Sequence, residues 1–350
     1  MPSTAHSRLG LLAAVGTLSA IAAPASALNI VTTFDSSITS MANASQIMTA
    51  FNSVVSNYAS SFTNPATVNL TVSWGSVDGQ SLPSNALGAS VDPLYGYYSY
   101  AQIRGALAAT AAANPSDTAL TTAVAHLPAK APSGVGLYAV PSAEAKALGL
   151  VSGDLADPDG FVGFSGPTTN YTFCPAPCSV TAGTYDFMGV AAHEISEVLG
   201  TISGLSAPNA TFRTPFDLFR YKSRGTIGFN YNQAAYFSID GGATSLDTFN
   251  TSASGGDRGD WKGGATTSDD RDAFMSSGRR YRMTNVDLTT LDVLGWFGAN
   301  AGDTGAGNPG GSAFSESVAV PEPAGWALMI GGLGLAGAAL RRRAGGPARA

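Results

Sequence analysis

The stretch Gly189-Val-Ala-Ala-His193-Glu194-Ile-Ser-Glu197-Val-Leu-Gly200 decides how this chain is read. Wound as an α-helix at about 100° per residue, it sets His193 and Glu197 one turn apart on a single face. Gly189 and Gly200 fall on that face too and are expected to leave space above it. Met188, Ala192, Ile195 and Leu199 gather on the opposite side as a packing stripe. Glu194 lies about 100° round the helix from His193. An imidazole and a carboxylate side by side, with a second carboxylate adjacent, suit two metal ligands and a general base. The common zinc-protease helix reads His-Glu-x-x-His. Here Glu197 replaces the second histidine, and a carboxylate also binds zinc, at about 2.0–2.2 Å. The added negative charge weakens the Lewis acidity of zinc and favours harder ions.

A third ligand must come from elsewhere. Apart from His6 in the leader, the histidines are His126 and His193. His126 reads as a helix-end residue near Pro128. Asp217, in Pro215-Phe216-Asp217-Leu218-Phe219-Arg220-Tyr221, is the best candidate, because a carboxylate among apolar neighbours is costly to bury unless paired or metal-bound. An ion pair of Asp217 with Arg220 or Arg213 is the alternative.

Around the motif the pattern is mixed. Leu28 to Phe34, Thr67 to Trp74, Phe161 to Phe164 and Tyr236 to Ile239 read as strands, the second by strict alternation. Ile38 to Phe62, Tyr98 to Ala113, Asp117 to Ala125, Asp186 to Leu199 and Val286 to Trp296 read as helices, with Gly200 ending the fourth and Thr284 or Asn285 capping the last. No βαβ rhythm and no internal repeat are evident, so the fold class is α+β.

The two ends carry targeting signals. His6 and Arg8 precede the apolar run Leu9 to Ala23, and Ala25-Ser26-Ala27 forms a small-x-small site. Together they predict a signal peptide over 1–27, cut by signal peptidase before Leu28. Residues 298–319, rich in Gly, Ala and Ser, read as a flexible linker. Then come Pro321-Glu322-Pro323, an apolar stretch from Ala324 to Leu340, and Arg341-Arg342-Arg343. At about 1.5 Å rise per residue that stretch reaches roughly 25 Å, a short transmembrane helix with its arginines on the cytoplasmic side. This end, over 320–344, resembles the PEP-CTERM sorting signal of bacteria that make extracellular polysaccharide. The resemblance implies an exosortase-type enzyme as partner, the membrane as a station, and a final place anchored in the envelope or released outside.

Composition agrees with export. Only 12% of the 350 residues are charged and the net charge is −6, which gives no reason to expect nucleic acid. The two cysteines stand as Cys174-Pro-Ala-Pro-Cys178. In an exported chain they are expected to close a small disulfide loop.

Residues 160–297 resemble a bacterial family of PEP-CTERM-associated, matrixin-like metalloproteases. The resemblance rests on the motif helix, on Asp217-Leu-Phe-Arg220-Tyr221, on Tyr236-Phe-Ser-Ile-Asp240-Gly-Gly, on Asp257 to Trp261-Lys262, and on Asp287-Leu-Thr-Thr-Leu-Asp292-Val-Leu-Gly295-Trp296. The segment Tyr98-Ser-Tyr-Ala-Gln-Ile-Arg104-Gly-Ala-Leu extends it upstream. It implies a zincin-like fold over 28–297, with a twisted sheet, the motif helix beneath it and a smaller C-terminal part. It also implies His193 as a ligand of Zn2+, Glu194 as the base, and peptide hydrolysis as the activity. Two other readings stand beside it. One is a catalytically degenerate zincin kept as a surface or matrix protein. The other is a binder of Ca2+ or polysaccharide through loop carboxylates in Asp240-Gly-Gly and Asp257-Arg-Gly-Asp260, which do not match an EF-hand.

Overall fold

The computed structural model describes residues 28–166, 169–206, 211–264 and 267–298, together with a short strand at Ser317–Ala319. In chain order the elements that matter are β1 (Asn29–Phe34), α1 (Ala44–Ser61), β2 (Thr67–Trp74), β3 (Gly88–Val91), β4 (Leu94–Tyr98), α2 (Tyr100–Ala113) and α3 (Thr118–His126). They continue with β5 (Tyr138–Pro141), β6 (Gly160–Phe164), α4 (Phe187–Val198), β7 (Arg220–Ser223), β8 (Thr226–Ile227), β9 (Tyr236–Phe237), β10 (Asp247–Thr248) and α5 (Asn285–Val293). The fold is mixed α+β.

The main sheet runs β1-β2-β6-β3. The first three strands are parallel, with Thr32 opposite Leu70 and Val72 opposite Val162. The edge strand β3 is antiparallel to β6, with Ala89 opposite Gly163. Because β1 and β2 are parallel, the chain must cross over between them, and α1 makes that crossover. The sequence shows no βαβ rhythm, yet this one unit exists. A second sheet, β8-β7-β9-β10, is antiparallel.

Helix α1 is shorter than its periodicity predicts. Asp35 caps a separate turn at Ser36–Thr39 by accepting from the Ser37 amide at 2.8 Å. The hydroxyls of Thr39 and Ser40 then bond to the carbonyls of Asp35 and Ser36. Such local bonds compete with helix continuation, and the long helix restarts at Ala44. It buries Ile47, Phe51, Val54 and Tyr58. Each such side chain contributes about 1.5–3 kcal/mol on burial.

Helix α4 carries the motif and is buried on every side. The expected division into a packed face and an open face is therefore corrected. Tyr281 fills the space over Gly189, where a Cβ would come within 2.7 Å of the tyrosine Cβ. Glu144 fills the space over Gly200, whose φ of +121° ends the helix. The indole of Trp296 donates to the Leu199 carbonyl at 2.7 Å and ties α4 to the chain beyond α5. One contiguous hydrophobic core includes Leu28 at one end and Trp296 at the other. Cys174 and Cys178 are joined by a disulfide.

The expectation of a transmembrane helix over 324–340 finds no support in the described residues. Among the described residues no helix is long and apolar enough to cross a membrane. Residues 324–340, Pro321-Glu322-Pro323 and the leader 1–27 lie outside the described residues. The described residues therefore supply no membrane span, and what stands at this end is the sorting motif.

Candidate metal centre

The regular turn of α4 brings His193 Nε2 to 3.6 Å from Glu197 Oε1. The same nitrogen is 3.6 Å from Oδ1 of Asp260, a residue from the loop that follows β10. One ligand atom from each of His193, Glu197 and Asp260 falls within 4.8 Å of the other two. His193 is 1% exposed, Glu194 0%, Glu197 2% and Asp260 1%.

The imidazole is held in one orientation. Its Nδ1 lies 2.8 Å from the backbone carbonyl of Asp270. A carbonyl only accepts, so Nδ1 carries a proton and Nε2 is the nitrogen turned toward the two carboxylates. Nε2 is buried and has no hydrogen-bond partner. A backbone carbonyl behind the ring is the usual support of a metal-binding histidine.

The carboxylates are positioned as firmly. Glu197 Oε2 accepts from Ser90 Oγ at 3.1 Å, and the same hydroxyl faces Asp92 Oδ2 at 3.1 Å. Both partners come from the edge strand β3 and the residue after it. Asp260 Oδ2 accepts from the Asp257 amide at 2.8 Å, while Oδ1 points at His193. The Asp257–Asp260 turn is pressed onto the end of α4 at Gly259, where a Cβ would come 2.7 Å from the Thr201 carbonyl oxygen. Trp261 anchors it from below by donating to Asp287 at 2.9 Å and packing on Phe249 at 5.2 Å.

Charge is concentrated here. Burial, then repulsion from Glu197, holds the Glu194 carboxyl well above the usual range. Burial also pushes Asp260 up to about 6, against the pull of His193. Asp92 is raised by burial and by Glu197. For His193 burial works downward, but Asp260 and Glu197 outweigh it and raise the imidazole well above its ordinary value. An imidazole nitrogen and two carboxylates gathered within 4.8 Å of one another suit a divalent cation. The donor set of one imidazole and two carboxylates fits zinc or a slightly harder ion.

Glu194 sits one step round the helix, with both oxygens buried and without a hydrogen-bond donor. It is packed against β3, and a Cβ on Gly88 would fall 2.4 Å from its Oε1.

The other expected residues lie elsewhere. Asp217 is the inward cap of a single turn at Pro215–Phe219 and accepts from Ser203 Oγ at 2.5 Å, the Gly204 amide at 3.0 Å and the Thr214 amide at 2.9 Å. It is not part of the His193 cluster, and Asp260 holds that position. Arg220, one of the two alternative ion partners of Asp217, donates to the Arg258 carbonyl at 2.7 Å and stacks 4.4 Å over Phe249. His126 closes α3, its Nδ1 bonded to the Thr122 carbonyl. Asp240, a suggested calcium ligand, accepts from Ser238 Oγ and from the amides of Ala243 and Thr244 as a turn cap. Asp260 had a sequence signal, since Asp257-Arg-Gly-Asp260-Trp261 stands among the segments quoted for the resemblance.

Residues 319–343 match the PEP-CTERM protein-sorting motif. No curated protein matches the chain, and no solved structure does. The chain therefore combines a buried His193–Glu197–Asp260 cluster able to coordinate a metal ion with a C-terminal PEP-CTERM motif.

Proposed function

We propose that this chain is an exported, zinc-dependent hydrolase of the matrixin-like metallopeptidase type, sorted to the cell exterior through its PEP-CTERM motif. The observation that carries the reading is His193 Nε2, buried and equidistant at 3.6 Å from Glu197 and Asp260, with Glu194 on the next helix position. The motif supports handling by an exosortase-type enzyme. Removal of 1–27 by signal peptidase, a catalytic unit over 28–297 and a linker over 298–319 belong to the same proposal.

His193, Glu197 and Asp260 would hold the ion. Such an ion polarises a water and a peptide carbonyl. In this reading Glu194 would take a proton from the water and return it to the leaving amine. Burial and the neighbouring Glu197 raise its affinity for a proton. Ser90 and Asp92 keep Glu197 turned toward His193, and the Asp270 carbonyl holds Nδ1 so that Nε2 faces the carboxylates.

A second reading is a non-hydrolytic surface protein stapled by the same metal. The burial of His193 and Glu194 favours it, because catalytic zinc sites keep an open position. Cleavage of an unfolded casein substrate by the zinc-loaded protein separates the two. The hydrolase reading expects cleavage that Glu194→Gln lowers by at least about a hundredfold while zinc stays bound. Zinc binding with no cleavage establishes the second reading.

A further inference from the structure

Behind the His193 imidazole lies another group of acids that the proposed chemistry does not use. Asp269, Asp270 and Asp287 each place a carboxylate oxygen within 4.8 Å of the other two, and all three are buried. Two are fastened by donors. Asp269 accepts from the Arg271 amide at 2.8 Å and from Thr284 Oγ1 at 2.9 Å. Asp287 accepts from the Trp261 indole at 2.9 Å and from the Thr284 amide at 2.7 Å. Asp270 is different, because its carboxylate is fully buried and neither oxygen has a hydrogen-bond partner.

A buried, unpartnered carboxylate facing two others is a strongly unfavourable arrangement unless something positive joins it. The nearby guanidinium does not serve. Arg271 donates to the Gly259 carbonyl at 2.7 Å and lies 4.3 Å over the Trp261 ring, and among the described residues it forms no salt bridge with the three acids. An all-oxygen donor set selects a hard cation over zinc. Asp270 also forms part of the wall of a cavity of about 520 Å³ lined by Asn57, Met188, Ala192 and Arg282.

We infer that Asp269, Asp270 and Asp287 form a second metal site, taking a hard divalent cation of the calcium class and distinct from the His193 centre. The two sites share a residue through its two ends. The Asp270 side chain faces the cation, and its backbone carbonyl receives the His193 Nδ1 proton at 2.8 Å. An ion at the acidic site therefore fixes the support of the histidine ring.

The test uses the purified full chain stripped with chelator, titrated with calcium chloride by calorimetry and followed by thermal unfolding. Wild type is expected to bind calcium and gain several degrees in midpoint. Asp270→Asn, which relieves the unpaired charge, is expected to melt higher than wild type in chelator but to bind calcium at least tenfold more weakly. His193→Ala is expected to keep the calcium response, so failure of the zinc centre and failure of this site read out separately. The inference is overturned if calcium leaves wild-type unfolding unchanged, or if Asp270→Asn binds calcium as wild type does.

Discussion

His193 donates through Nδ1 to the carbonyl oxygen of Asp270 at 2.8 Å, and this bond decides which way the imidazole Nε2 faces. With Nδ1 committed, Nε2 looks into the space between Glu197 and Asp260. The pairing links helix α4 to the Asp269–Asp272 turn, so the centre depends on tertiary packing as much as on helical spacing.

Glu197 stands among like charges, since it raises the proton affinity of Asp92, Glu194 and Asp257. Glu197→Gln keeps the volume and removes one charge. The metal-free variant should unfold at a higher temperature than metal-free wild type, by about 1–2 kcal/mol of added stability. Its zinc affinity should fall by about ten- to a hundredfold. Calorimetric titration and thermal melts in chelator check both halves.

Gly88 gives Glu194 its place. An added Cβ would lie 2.4 Å from Glu194 Oε1 and 2.8 Å from Val190 Cγ1. Gly88→Ala should cost about 1–3 kcal/mol, as overpacking of a tight core does. The loss shows as a lower urea midpoint with an unchanged slope.

Lys146 and Asp159 form a fully buried ion pair at 2.6 Å. The ammonium also donates to the carbonyls of Thr67 and Leu155, and Asp159 accepts from Ser142 and the Asn69 amide. Lys146→Met strands a carboxylate in the core and should cost about 3–5 kcal/mol. The double variant Lys146→Met with Asp159→Leu should recover part of that loss in denaturant melts.

Asp292 on α5 is pushed up to about 10 by burial, with a further rise from its hydrogen bond to Asp117. Its folded-state proton affinity exceeds the unfolded one, so the fold is favoured below the unfolded carboxyl range. Stability then declines as pH rises toward about 10. Asp292→Asn removes that dependence and can donate to Asp117. The variant should be more stable than wild type at pH 8 by on the order of 1–3 kcal/mol, and the gap should close toward pH 4. Unfolding midpoints across that range measure it.

Much of the layout was legible because periodicity is local. The alternation in Thr67–Trp74 and the helical spacing in Phe187–Val198 both stand in the structure. Strand β3 was not legible, because Gly88, Ala89, Ser90 and Val91 are all buried and no alternation survives. The pairing of His193 with Glu197 follows from one helical turn, whereas Asp260 arrives through a distant loop that only tertiary packing brings near. Asp217 was misleading for a physical reason. Burial of an aspartate demands partners, and a hydroxyl with two backbone amides meets that demand as well as a metal does.

Zinc content of the purified full chain, by mass spectrometry after dialysis against trace zinc, tests the central claim most directly. Wild type should retain about one zinc per chain, as a closed three-residue donor set implies, and both His193→Ala and Asp260→Asn should lose it. A wild-type chain that emerges free of zinc, or the two variants holding as much zinc as wild type, would contradict the account.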